Sequence, residues 1–373
     1  MSKSTLLWSV ALAAAAVVIP FYLDASWLQD GLFAMAAAIG AIGLNLLTGA
    51  TGQLSMGHAF FLAVGAFGYV YFASVPAEGG HAALDGLGLP TPVAAVLAVL
   101  LAGAAGGLFS PIAARLKGAY LGIATLALIF IGHFVMSNAT PVTGGHNGRP
   151  VPPLEVFGFV FADTPDAPLV IAGVPFGALE RLWFLGVVLL LGAGLFARGV
   201  LRGRPGRAMN TIRDHEIAAG VMGVPVARYR AGVFVLSSMY GGLAGVLIAL
   251  VFQQTVPDYF GLLLALSYLA MIIIGGLGSV AGAVIGAVFV SMLPRLLTRY
   301  SDALPLIVQP GQEGVGAAEA AQILYGLAVV VVVLFLPGGL LGLVTQLRLR
   351  TGRRIASAPA AKHSLTPTPE TRN

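Results

Sequence analysis

GATGQLSMGH, residues 49–58, separates two apolar runs, residues 31–48 and 59–75, neither of which holds a single charge. Each run is about as long as an α-helix must be to cross roughly 30 Å of hydrocarbon at about 1.5 Å per residue. The ten residues between them contain Gln, Ser, His and three glycines. The same reading along the chain finds ten charge-free runs, at residues 6–23, 31–48, 59–75, 91–113, 118–137, 182–197, 231–252, 262–276, 280–294 and 321–345. With 58% hydrophobic residues, 9% charged and a mean hydropathy of +0.91, against about 25% charged in a soluble domain, the chain is expected to be an all-α polytopic membrane protein. About ten transmembrane helices follow.

Charge distribution orients them. With the N-terminus inside, Lys3, Arg115, Lys117, seven arginines within residues 198–230 and six basic residues after Gln346 all fall on inner segments, leaving Arg149, Arg181, Arg295 and Arg299 outside. Lys and Arg concentrate on the cytoplasmic side of membrane proteins, so both termini are expected to be cytoplasmic. The net charge of +5 is then a topology signal, and no nucleic-acid partner is expected. The first run has about 18 residues, against a usual 7 to 15 in a signal-peptide core, and is read as a retained span. Residues 1–345 form the transmembrane domain, with a prolonged outer loop at 138–181 expected to be an ordered cap. The tail, residues 346–373, is basic and rich in Pro, Ser and Thr, and is expected to be disordered.

Several chemistries are disfavoured at this stage. Ion-coupled carriers keep carboxylates or histidine relays inside the membrane because those groups are the mechanism. No acid and no base falls within the ten runs, which argues against a proton-coupled secondary transporter. His133, alone in the fifth run, reads as a hydrogen-bonded core residue. Lys3, Lys117 and Lys362 are the only lysines and none closes a GxxxxGK[ST] phosphate cradle, so ATP hydrolysis must come from elsewhere. Ser55 and His58 are too close on one helix to serve as nucleophile and base, and no oxyanion motif follows. The chain is expected not to be an enzyme and to hold no cofactor. With no cysteine it has no thiolate metal site, and no metal ligand set is expected.

Two segments stand out beside the opening stretch. ARGVLRGRPGRAMNTIRDHEIAAGVMGVPVARYR, residues 197–230, lies mostly in the inner segment 198–230. Asp214 can cap a short helix over residues 214–222 that Gly223 and Pro225 end, with Ile217, Val221 and Val224 at spacings of four and three. It reads either as a basic patch on anionic membrane lipid or as a docking helix for a cytoplasmic partner. IIIGGLGSVAGAVIGAVF, residues 272–289, joins two short runs through glycines. Gly278, Gly282 and Gly286, spaced by four, suit close backbone packing, although short glycine-broken spans also build midplane sites in transporters.

Taken in order, six segments resemble the permease subunits of bacterial branched-chain amino acid ABC importers, of the LivM type. They are GLNLLTGATGQLSMGHAFFLAVGAF (43–67), RLKGAYLGIATLAL (115–128), TGGHNG (143–148), GRAMNTIRDHEIAAGVMGV (206–224), MIIIGGLGSVAGAVIGA (271–287) and LFLPGGLLGL (334–343). The loops at 76–92 and 298–320 are longer than usual for that family, and Ala50 stands where an aromatic is common. The resemblance implies a location in the bacterial plasma (inner) membrane, a second permease subunit, cytoplasmic ABC ATPase subunits and an extracytoplasmic solute-binding protein. It also implies that Glu216, Ala218, Ala219 and Gly223, with Asp214 before them, form the ATPase-coupling helix. Urea and short-amide permeases share the family's motifs, so the cargo is a branched-chain or related neutral amino acid or, alternatively, such an amide.

The opening stretch can now be read physically. An unpaired polar group in lipid costs several kcal/mol, so Gln53, Ser55 and His58 must face protein or water. In an unbroken helix Asn45, Thr48, Gly52 and Ser55 would share one face and line a substrate path. Glycines 49, 52 and 57 equally permit a broken helix whose free backbone groups meet a zwitterion, or a tight inner turn. A path without fixed charges suits a neutral zwitterion, which a deep charge would trap or repel.

Overall fold

The computed structural model describes residues 18–76, 84–163, 169–171, 174–300, 316–335 and 338–342. The first run, except its end at 18–23, and the tail from residue 346 lie outside the described residues. Eleven helices of six or more residues are described: α1 (Ala25–Thr51), α2 (His58–Ala73), α3 (Thr91–Arg115), α4 (Ala119–Asn138), α5 (Ala178–Arg202), α6 (Arg204–Asp214), α7 (Glu216–Val221), α8 (Val226–Phe252), α9 (Leu262–Gly275), α10 (Val280–Arg299) and α11 (Ala317–Phe335). Seven of them among the described residues are long and apolar enough to cross a membrane: α1, α3, α4, α5, α8, α9 with the 3-10 turn before it, and α10. The helix α2 and the apolar part of α11, residues 322–332, are shorter.

Of the ten or so membrane-length helices expected, seven are present among the described residues. α2 falls short because six non-helical residues, 52–57, precede it. The helices also run past the charge-free runs and take in Asp30, Arg181, Arg230 and Arg295 near their ends. Backbone hydrogen bonding inside a helix does not stop at a charge, and a charged side chain in a terminal turn can pair or reach water. So the absence of charge from the runs does not hold for the helices.

Burial sorts the bundle into centre and periphery. The most apolar stretches of α1 and α8 are 83% and 78% buried inside the protein, against 33%, 33% and 17% for α3, α4 and α5. The outer three present bare Leu100, Ile123, Phe134 and Leu195, as lipid-facing helices do. Small residues are what let α1 be central. A Cβ placed on Gly31, Gly40 or Gly43 would lie 2.3 Å, 2.6 Å and 2.3 Å from Trp183, Tyr268 and Tyr240, so α5, α9 and α8 each press an aromatic side chain against α1. The hydroxyl of Tyr240 donates to the Ala193 carbonyl at 2.7 Å, joining α8 to α5.

At one end, the loop end, residues 138–181 are ordered where described. A one-turn helix (Thr140–Thr143) leads to β1 (Arg149–Pro150); β2 (Glu155–Val156) pairs with β3 (Phe159–Val160), and β4 (Leu169–Ile171) with β5 (Val174–Phe176). β1 pairs antiparallel with β6 (Gln254–Thr255), just past α8. Two buried arginines fasten this layer. Arg149 donates to the carbonyls of Asp85 and Val142 at 2.8 and 2.7 Å, and Arg181 to those of Val160 and Ala162 at 2.7 and 3.0 Å. Burial pulls the Arg149 pKa below its ordinary value, with the charge of Asp85 opposing the shift.

Candidate functional site

The opposite, basic end gathers the stretch at 49–58, the segment from α6 to α8 and the loop between α9 and α10. The helix α1 stops at Thr51, and Gly52 follows at φ +71°, its N–H donating to the Thr48 carbonyl. That left-handed turn favours glycine. Of the arrangements the sequence left open, the helix is thus broken, and the shared face of Asn45, Thr48, Gly52 and Ser55 that an unbroken helix would give does not form. A further helical turn would have to displace Arg213, whose Nη1 donates to the Gly49 carbonyl at 2.9 Å.

Residues 52–57 do not lie flat across the end of the bundle. The N–H of Met56 donates to Thr125 Oγ1 at 2.9 Å, and Thr125 is the seventh residue of α4. At about 1.5 Å of rise per residue the segment dips roughly 9 Å into the bundle. Irregular backbone at that depth is tolerated only when protein satisfies it.

The six residues expected to line a path are placed as follows. Asn45 is buried and uses both ends of its amide on the α9–α10 loop, donating to the Ser279 carbonyl at 2.7 Å and accepting from the Gly278 N–H at 2.8 Å. Thr48 donates to the Gln53 carbonyl at 3.0 Å. Gly52 is exposed beside the Arg213 side chain. Gln53 is buried and its Nε2 donates to Thr51 Oγ1 and, at 3.4 Å, to the Arg230 carbonyl. Ser55 is buried and accepts from the Gly57 N–H at 3.4 Å. His58 opens α2, fully enclosed, with its ring 5.1 Å from that of Tyr268. The structure gathers these residues into one joint, buried at Asn45, Gln53, Ser55 and His58 and open at Gly52, held largely by backbone groups.

The expected helix over 214–222 is also redrawn. Asp214 ends α6 and does not cap the next helix; His215, at φ −150° and ψ 89°, breaks the two apart. Sequence reading missed α6 because its helical period is carried by buried Met209 and Ile212 alone amid arginines. The end of α7 is as expected. Gly223 sits at φ +82° and the Val224 N–H reaches back to the Ala219 carbonyl at 3.0 Å, a Schellman-type closure. Ala219 is fully buried against the bundle, whereas Ile217 and Val221 are each 85% exposed and Met222 is 76% exposed. The apolar face of α7 points away from its own protein.

Ion pairs hold α7 in that pose. Glu216 receives two bonds from Arg230, Nη1 to Oε1 at 2.9 Å and Nη2 to Oε2 at 3.0 Å, and Lys117 Nζ lies 2.9 Å from Oε2. Burial raises the Glu216 pKa, but the hydrogen bonds and charges of Lys117 and Arg230 outweigh it and hold the carboxyl below its ordinary 4.5. A depressed carboxyl contributes stability above its ordinary pKa and loses it as pH falls through the lowered one. Glu216→Gln is therefore expected to destabilise the protein by about 1–2 kcal/mol at pH 7. The gap to wild type should close below about pH 4 in thermal unfolding. The sequence signal for this cluster is slight: Lys117 and Arg230 look like ordinary inner-loop charges until the fold places them beside Glu216.

The glycine-rich hairpin is tightly packed. A Cβ on Gly275 would lie 2.0 Å from the Gly282 carbonyl oxygen, and one on Gly286 would lie 1.9 Å from that of Met271, so α9 and α10 touch backbone to backbone. His133, in contrast, is not the core residue expected. It is 39% exposed toward the loop end of α4, and its Nε2 lies 3.6 Å from Asp258.

A bundle of membrane-length helices, broken at one crossing and tied there to a short surface helix, has the build of a membrane permease. The chain belongs to the family described as "Branched-chain amino acid transport system / permease component", whose profile matches residues 31–334. It is 29% identical to the high-affinity branched-chain amino acid transport system permease protein LivM of Escherichia coli K12, over 93% of this chain and 77% of that one. It is 25% identical to LivH of the same organism over 70% of this chain and 82% of LivH. BraD of Pseudomonas aeruginosa is 24% identical over 82% of this chain and 91% of BraD. No solved structure matches. The LivM-type resemblance is borne out, and the chain is a multi-pass membrane protein of transport.

Proposed function

We propose that the chain is a permease subunit of a bacterial plasma (inner) membrane ABC importer for branched-chain amino acids. The family match over residues 31–334 carries the reading. Its partners are cytoplasmic ABC ATPase subunits, a second permease chain of the LivH kind and an extracytoplasmic solute-binding protein. The chain crosses the membrane about ten times with both termini in the cytoplasm, so that the basic end faces the ATPase and the loop end faces the binding protein.

In this reading α7 is the coupling helix, and Asp214, Glu216, Ala218, Ala219 and Gly223 position it. The exposed apolar face of Ile217, Val221 and Met222 supports the assignment, because such a face is stable in water only against a partner. Motion of α6 and α7 would reach the membrane through Arg213 on Gly49 and through the Arg230 backbone on Gln53. The substrate-path role of Asn45, Thr48, Gly52, Gln53, Ser55 and His58 is then conditional: substrate meets them when the joint opens. Domain limits at 345 and 346 complete the proposal.

Purification of the tagged chain from its native membrane, followed by reconstitution, tests it. Co-purification of an ATPase and a second permease, with ATP-dependent leucine uptake that survives collapse of the proton gradient, is the expected result. Uptake of urea but not leucine, or uptake lost with the proton gradient, would overturn it.

A further inference from the structure

A cavity of about 340 Å³ opens toward the loop end between α1, α8, α9, α10 and α11. Phe33, Ile248, Phe252, Tyr259, Phe260 and Leu264 form much of its wall. The rings are packed against one another, Phe33 to Phe252 at 4.4 Å and Phe252 to Tyr259 at 4.8 Å between centroids. Such a largely apolar wall accepts an aliphatic side chain, with Ser267, Ser291 and Gln322 as the polar side chains beside it.

Arg295 also lines the cavity. Its guanidinium lies 4.3 Å above the Phe33 ring and is ion-paired with Asp30. The side chains of the pair are only 33% and 18% exposed, so both charges are partly desolvated and each depends on the other. Deeper in, Tyr268 lines the cavity and is fully buried, yet its hydroxyl has no hydrogen-bond partner among the described residues. It abuts His58, whose Nε2 is equally unpartnered there. A buried polar atom left unpaired is destabilising, a cost that a ligand or water at this point would remove. The cavity thus runs from Arg295, which Asp30 pairs from behind, to Tyr268, whose ring touches the first residue of α2 directly after the broken segment.

We infer that this cavity is the permease's own amino-acid subsite, an assignment that rests on the transport reading proposed above. The α-carboxylate takes Arg295, the α-ammonium takes Asp30, and the branched side chain occupies the aromatic wall above Tyr268. The pairing suits a zwitterion because partners are exchanged: when the ion pair opens, each protein charge meets an opposite charge of the ligand, and no partly buried charge is stranded. A lone acid or base here would hold one end of the amino acid and repel the other. A pair holds both ends and repels neither, and the protein ion pair given up on binding offsets the gain, so binding stays weak enough for release toward the basic end.

The test uses the assembled complex in proteoliposomes, fed by its binding protein, with radiolabelled leucine and with rates normalised to the complex recovered. Asp30→Asn and Arg295→Gln are each expected to lower leucine uptake about tenfold or more. The exchanged pair, Asp30→Arg with Arg295→Asp, rebuilds the link between α1 and α10 with its polarity inverted. Uptake that stays low in the exchanged pair supports the subsite; uptake that returns shows a purely structural link and overturns it. Should the single variants fail to assemble, the exchanged pair decides alone. Phe252→Ala, which enlarges the wall, should raise phenylalanine uptake relative to leucine, and an unchanged ratio refutes the placement of the side chain. Wild-type complex that imports no branched-chain amino acid refutes the transport reading itself. Normal leucine uptake in both single variants refutes only the subsite.

Discussion

Ile217→Asp combined with Val221→Asp is expected to abolish uptake by the assembled system while leaving the chain inserted and folded. Both side chains are 85% exposed in the isolated chain, so the charges cost the fold almost nothing. In the complex each apolar side chain stands to contribute about 1.5–3 kcal/mol when buried against a partner, and a carboxylate in its place adds a desolvation penalty. A joint loss above about 4 kcal/mol corresponds to a thousandfold weaker contact. Co-purification of the ATPase and ATP-driven leucine uptake measure the effect; far-ultraviolet circular dichroism checks the fold. Retained ATPase binding in the double variant would mean that α7 is not the docking element and would favour the alternative in which the basic segment lies on anionic lipid.

Gly286→Val should act in the opposite way, removing the folded protein instead of its coupling. A Cβ at this position would sit 1.9 Å from the Met271 carbonyl oxygen and 2.9 Å from the Gly275 backbone, and backbone on both sides leaves no flexible side chain to yield. Separating α9 from α10 enough to admit a branched side chain would also unseat the loop that Asn45 holds through Gly278 and Ser279. The expected cost is about 4 kcal/mol or more, seen as loss of membrane-inserted protein and a collapsed thermal midpoint. Gly192→Ala on α5, where nothing lies within 4 Å, serves as the comparison and should be neutral or slightly stabilising. Equal behaviour of the two variants would refute the close-packing account.

Much of this architecture is legible in the sequence because lipid imposes a one-dimensional rule: a stretch that crosses hydrocarbon must be apolar and must satisfy its own backbone. The runs at 91–113, 118–137, 231–252 and 280–294 all reappear as helices. The glycine spacing at 282 and 286 anticipates the backbone contact of α9 with α10, since only missing side chains permit it, whereas Gly278 lies in the loop between them against Gly49 of α1. Gly223 marks the end of α7 because a left-handed turn there favours glycine. Less visible was which side of α7 faces inward. Periodicity groups Ile217 with Val221, and reading that stripe as a docking face needed the observation that Ala219 alone is buried.

The amino-acid order by itself determined a membrane bundle, the family to which it belongs, and the positions at which helices must start, stop or touch. Those features rest on local backbone chemistry and on burial in lipid, both of which act residue by residue. Only the tertiary structure decided that the six residues after α1 are a joint dipping into the bundle, that Glu216 is held between Lys117 and Arg230, and that Asp30 meets Arg295 at the mouth of a cavity. Each of these joins groups distant in the chain. Their energies depend on which charges and carbonyls converge in space, and no local pattern encodes that convergence.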